Sequence, residues 1–168
     1  MRIAGIDPGT IHTGVGILDE AEKGIRLVFS GTIHAPAAKP LALRLMQIYQ
    51  ELISAFHEWK PEVVALENIF YQKDFKAAVK VGEARAAAML AASECGIPVI
   101  EYPPARVKES ISGNGRASKN QIQYMVRRLL HLDGPLSADS ADAIAVAFCH
   151  VHSRKYNLIQ KEKQLAHV

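Results

Sequence analysis

Two short apolar runs constrain this chain more than anything else in it. RIAGID ends at Asp7, and PEVVALE ends at Glu67. PEVVALE is continuous rather than alternating, which is typical of a central parallel strand. RIAGID reads as a buried strand running into a tight Pro-Gly turn. A carboxylate directly after a buried strand is costly unless it binds something. Two more acids, Asp139 and Asp142, stand in the run SADSADAIAVAF. Their i, i+3 spacing puts both on one helix face.

The segments between these runs predict the architecture. GVGILDE and IRLVFSGTI read as two further strands, joined by a hairpin loop at Glu22-Lys23-Gly24. Leu41, Leu45, Ile48, Leu52, Ala55 and Trp59 recur at steps of three or four, the face of an amphipathic helix that ends before Pro61. An alanine-rich helix is expected over 74–93, ended by Cys95-Gly96, and IPVIEY follows as a fifth strand. PPARVKESISGNGRAS reads as a loop with about one helical turn. Ser118 caps the next helix, whose apolar positions are Ile122, Met125, Val126, Leu129 and Leu130, and Gly134-Pro135 breaks it. A final helix is expected over 137–152. Hairpin strands followed by crossover units predict an α/β fold: a five-stranded mixed sheet with helices on both faces. Residues 1–154 form one domain in this reading, and 155–168 form a polar, flexible tail.

A length of 168 residues suits one domain with a core, and a net charge of +3 is only mildly basic. Cys95 and Cys149 have no metal-ligand spacing and read as free thiols. No apolar run reaches the roughly 18 residues that a membrane span needs. The chain reads as a cytoplasmic protein with no membrane partner.

If the strands ending in Asp7 and Glu67 are neighbours, both acids emerge at one sheet edge. Ala138 and Ala145 on the face of Asp139 and Asp142 would let that helix lie close. Asp7, Glu67, Asp139 and Asp142 would then form a metal site of hard oxygen ligands. Two Mg²⁺ ions about 3.5–4 Å apart would activate water and stabilise a leaving 3′ oxygen. Taken singly, each acid has an ordinary reading: Asp7 as a turn residue, Glu67 as a strand end, Asp139 as a favourable charge at a helix N-terminus.

IAGIDPGTIHTGVGIL, ALENIF, KVGEARAA and ADSADAIAVAFCH together resemble the signatures of the RuvC family of Holliday junction resolvases, across 1–152. The resemblance implies an RNase H-like fold, a homodimer, and nicking of two opposed strands at a four-way DNA junction. It implies Mg²⁺, with Mn²⁺ as a substitute, held by Asp7, Glu67, Asp139 and Asp142. It places a junction-probing aromatic at Phe70 and two basic catalytic residues at Lys108 and Lys119. It also implies a branch-migration helicase complex of RuvA and RuvB as partner.

Other residues suggest contact with DNA. Phe70 or Tyr71 could stack on an unpaired base or simply cover the following helix. Lys73, Lys76 and Lys80 could track phosphates or form a solvated face. Arg106, Lys108, Arg116 and Lys119 flank a Gly113-Asn114-Gly115 loop whose N–H groups suit a phosphate. Arg127 and Arg128 read as helix surface. Ala84, Ala87, Ala88 and Ala91 offer a close helix contact across a dimer axis, or against the chain's own sheet. Two other functions remain open here: a non-catalytic junction-binding module, and a nucleotide-binding domain of actin-like or sugar-kinase type.

Overall fold

The computed structural model describes residues 1–22, 24–68, 75–134 and 136–165. Five strands form one sheet: β1 (Arg2–Asp7), β2 (His12–Ala21), β3 (Gly24–His34), β4 (Val63–Glu67) and β5 (Val99–Tyr102). Their order across the sheet is β3-β2-β1-β4-β5. β1, β2 and β3 pair antiparallel, whereas β4 runs parallel to β1 and β5 parallel to β4. This is the expected mixed sheet, with β1 at its centre and β1 and β4 buried on both faces.

The helices divide between the two faces. α1 (Leu41–Trp59) and α2 (Phe75–Glu94) cover one side, where Ile48, Leu52, Phe56, Ala88 and Ala91 meet Ala4, Ile6, Val64 and Leu66. α3 (Pro104–Ser112), α4 (Lys119–Leu129) and α5 (Ala138–Leu165) cover the other, packed on Ile3, Leu18, Val63 and Ala65. Alternate residues of β1 therefore feed two cores, as the period of two in a strand requires.

Four expectations are corrected. The segment expected to be mostly loop is the nine-residue helix α3. Pro104 lies in its first turn, where a missing N–H costs nothing, and Val107 and Ile111 sit one turn apart and are buried. α4 ends at Leu129, ahead of Gly134, and the chain turns through His131 at φ 52°. Its start is as expected: the Ser118 hydroxyl accepts from the Gln121 N–H, and the Gln121 side chain accepts from the Ser118 N–H. α5 does not stop at 152. Arg154 and Lys155 pair with Glu20 at 2.7 and 3.5 Å, which ties the helix to β2 well past that point. Finally, the alanine face of α2 is not free for a partner. Ala84, Ala88 and Ala91 have no exposed surface, because they pack within their own chain.

Ala145 is buried against the sheet as expected, but Ala138 is exposed, and the decisive small residues are glycines of the strands. A Cβ on Gly5 would collide with the Ala143 carbonyl and stand 2.7 Å from the Ala147 nitrogen. A Cβ on Gly14 would collide with the Asp139 carbonyl, and one on Gly16 would stand 2.9 Å from the Ile144 nitrogen. Helix backbone lies directly on strand backbone. Gly5→Ala should therefore destabilise the protein by about 3 kcal/mol, at the upper end of ordinary overpacking, since both colliding atoms are main chain. Urea unfolding measures this; a loss under about 1 kcal/mol would mean that α5 rides higher on the sheet.

Candidate active site

Register places the first two carboxylates. Ile6 pairs with Leu66 across the parallel β1–β4 ladder, so Asp7 and Glu67, each one residue further on, leave the same edge of the sheet. The turn after Asp7 is held from both sides: the Thr13 hydroxyl donates to the Gly9 carbonyl at 2.8 Å, and Arg44 donates to the Thr10 carbonyl at 3.0 Å. Beneath Glu67, the buried Arg85 guanidinium donates to the Glu67 carbonyl and pairs with Glu101 at 2.7 Å. Arg85 was not anticipated from sequence; a lone arginine inside an alanine run is the signal that marks it.

α5 supplies the other two carboxylates from its first two turns. Gly14 lies opposite Asp7 in the β1–β2 ladder and directly under the Asp139 backbone. The acids therefore converge, and their mutual repulsion registers in their protonation. Burial, followed by the charges of Asp142 and Glu67, pushes the Asp7 carboxyl up to about 7, with Asp139 adding a smaller push. Burial and Asp142 also raise Glu67, against the opposing pull of Lys108, Lys119 and Arg85.

Two lysines answer this negative charge. Lys119, the first residue of α4, places its Nζ 2.7 Å from Asp142 Oδ2. That hydrogen bond raises the Lys119 ammonium above its ordinary value, with further help from the charges of Asp142, Asp7 and Asp139. Lys108 of α3 stands with Lys119, Glu67 and Asp142 around a cleft of about 190 Å³, with Val107 and Ile122 as its apolar wall. The unexpected helix α3 is thus what carries Lys108 to the carboxylates.

Other expected site residues lie elsewhere. Arg106 pairs with Glu109 at 3.4 Å and its guanidinium lies 5.9 Å from the Tyr156 ring centre, away from the cleft. Lys76 and Lys80 are exposed on the first turns of α2, and Arg116 is exposed in the loop before α4. Phe70, Tyr71 and Lys73 lie outside the described residues.

Among the described residues, no three His, Cys, Asp or Glu side chains form a finished ion cage. The donor set still fits a hard divalent cation. It consists of carboxylate oxygens, and Asp7 and Glu67 are held back from ionising by burial and like charge, a cost that a cation would relieve. Among the described residues, no helix is long and apolar enough to cross a membrane.

A family model described as crossover junction endodeoxyribonuclease RuvC matches residues 3–150. The RuvC protein of Halorhodospira halophila is 47% identical over 153 residues, which is 91% of each chain. A Thermus thermophilus RuvC solved with a Holliday junction substrate superposes at a TM-score of 0.86 and 34% identity, covering 94% of this chain and 96% of that one. The yeast mitochondrial Holliday junction resolvase superposes at 0.61 over 88% of this chain and 76% of that one, at 14% identity, a likeness of fold alone.

The Asp7 carboxyl makes stability depend on pH in a definite direction. In the folded protein it keeps its proton to about 7, against an ordinary value of 3.8. Between those values the unfolded chain binds fewer protons, so in chelator this group's contribution to stability falls as pH rises. Asp7→Asn should then stabilise the metal-free protein by a few kcal/mol at pH 8 and by little at pH 4. Urea unfolding in chelator at both pH values checks this. An equal effect at the two would show that the carboxylate is well solvated.

Proposed function

The chain belongs to the RuvC family of crossover junction endodeoxyribonucleases, which resolve four-way DNA junctions, and from that membership we propose which residues perform the cleavage. The observation that carries the reading is the meeting of Asp7, Glu67 and the Asp139–Asp142 face of α5 with two lysines at one strand edge. A site built only to hold phosphate would not concentrate carboxylates there. The four acids would hold divalent cations, Mg²⁺ by preference with Mn²⁺ as substitute, two in the full site. Bound there, they would supply Lewis acidity at the scissile phosphate and an activated water.

The chain's own groups do the rest. Asp7 and Glu67 must both ionise to serve as ligands, which burial and like charge oppose until positive charge arrives. Lys119, more than half exposed, can turn from Asp142 towards the phosphate. Lys108 approaches from the α3 side. Both stabilise charge that builds on the phosphate oxygens in the transition state. Phe70 and Tyr71, which follow Glu67 in the sequence, stack at the crossover. Lys73, Lys76, Lys80 and Arg116 track the flanking phosphates.

Two symmetric nicks require two such sites. We place them on a two-fold homodimer acting in the cytoplasm with a branch-migration complex of the RuvA and RuvB type. Since the alanine face of α2 is buried, the interface falls to its outer face, where Phe75, Val79 and Leu90 are exposed. Leu90→Glu should give a folded monomer in sedimentation that nicks junctions singly. A Leu90→Glu dimer would move the interface to another surface.

Asp7→Asn, Glu67→Gln and Asp142→Asn should each cut junction cleavage by at least about a thousandfold while binding in Ca²⁺ persists, because each removes a ligand charge but no phosphate contact. The assay sets labelled four-way junctions, linear duplex and RNA–DNA hybrid side by side with Mg²⁺. Near-normal turnover in any of the three variants would sink the site assignment. Binding without cleavage by the unaltered protein would favour the non-catalytic junction-binding reading.

A further inference from the structure

The start of α5 is tied to β3 by a run of three hydroxyls, and we propose that Thr32, Ser137 and Ser140 form a positioning device that sets the affinity of the carboxylate edge for its divalent cation. The inference rests on the reading above, in which Asp139 and Asp142 are ligands.

Each hydroxyl has one proton, and Thr32 Oγ1 also lies 3.4 Å from Ser140 Oγ, a longer alternative to its bond with Ser137. Ser140 Oγ donates to the Gly31 carbonyl at 2.9 Å, and Ser137 Oγ donates to Ser140 Oγ at 2.7 Å. Thr32 Oγ1 is then the donor to Ser137 Oγ, at 2.9 Å. Ser137 Oγ also accepts from the Ser140 N–H at 3.1 Å, which caps the helix. The run starts on β3, crosses to the helix start and returns to β3. Its last hydroxyl, Ser140, is 3% exposed.

Capping alone does not call for this much. The bond from the Ser140 N–H to Ser137 satisfies the helix end; Thr32 and the Ser140 hydroxyl are surplus to that purpose. A buried hydroxyl in a helix is unfavourable unless bonded, and here the bonds run to another element. Asp139 stands between the two serines, and Asp142 two residues beyond. The glycine under Asp139 fixes how closely the helix approaches but does not stop its first turn from fraying or sliding along β2. The hydroxyl run supplies that lateral restraint. Groups hydrogen-bonded directly to metal ligands typically govern metal affinity or activity by 10–100-fold; these hydroxyls act one step back, through the α5 backbone, so the low end applies.

The test is calorimetric titration of the DNA-free protein with Mn²⁺, together with hydrogen exchange at the 139–142 amides. Ser140→Ala and Thr32→Val should each weaken Mn²⁺ binding about tenfold and speed exchange at those amides. Thr32→Ser should restore both to the unaltered level, because it keeps the hydroxyl. Unfolding curves establish that each variant is folded. Unchanged Mn²⁺ affinity and exchange in folded Ser140→Ala and Thr32→Val would overturn the proposal and leave the hydroxyls a role in stability alone. If the unaltered protein binds no Mn²⁺, the metal reading itself fails. Exchange at the 139–142 amides then decides whether the run holds the turn at all.

Discussion

The site depends on backbone touching backbone. At Gly5, Gly14 and Gly16 the backbone of α5 comes down onto β1 and β2, because these glycines leave the strand surface bare at those points. Stacked elements ordinarily stand about 10 Å apart, with side chains filling the space. At that distance Asp139 and Asp142 would be remote from Asp7. The close seam lets short side chains from a helix and from two strands share one edge, and the other contacts of the site refine this arrangement.

Bringing four acids together creates an electrostatic problem that the fold manages locally. Arg85 sits below Glu67, Lys119 closes on Asp142, and Lys108 faces both across the cleft. None of these fully compensates Asp7, the most deeply buried of the strand-end acids, whose carboxyl stays protonated to about 7. The fold thus tolerates an unfavourable carboxylate at one point, as is common where ligand binding offsets a cost in the empty protein.

Much of this was legible in the sequence, for reasons of period and punctuation. The apolar runs ending at Asp7 and Glu67, the hairpins, and the seven-residue recurrence of α1 specify the mixed sheet and its two covered faces. The i, i+3 acids specify a common helix face. What escaped reading depends on distant contacts. Thr32 and Ser137 are 105 positions apart, and no local pattern joins them. Arg85 sits in an otherwise apolar run because of its partners at Glu67 and Glu101, which lie on two other elements. α3 was obscured by a Pro-Pro pair that looks like a break but serves as a start. The alanine face of α2 shows a further limit: small residues announce a close contact without saying with what.

β1 and the far end of α5 are anchored very differently. The Met1 nitrogen donates to the Glu20 carbonyl at 2.8 Å and lies within 3.9 Å of Glu62, which fastens the start of β1 to β2. α5, by contrast, runs on to Leu165, so its last turn lies about 35 Å of helix beyond Asp142. An affinity handle or fluorophore attached after that helix would leave the molecule far from the cleft. For labelling this protein without disturbing its chemistry, the far end of α5 is the natural point of attachment.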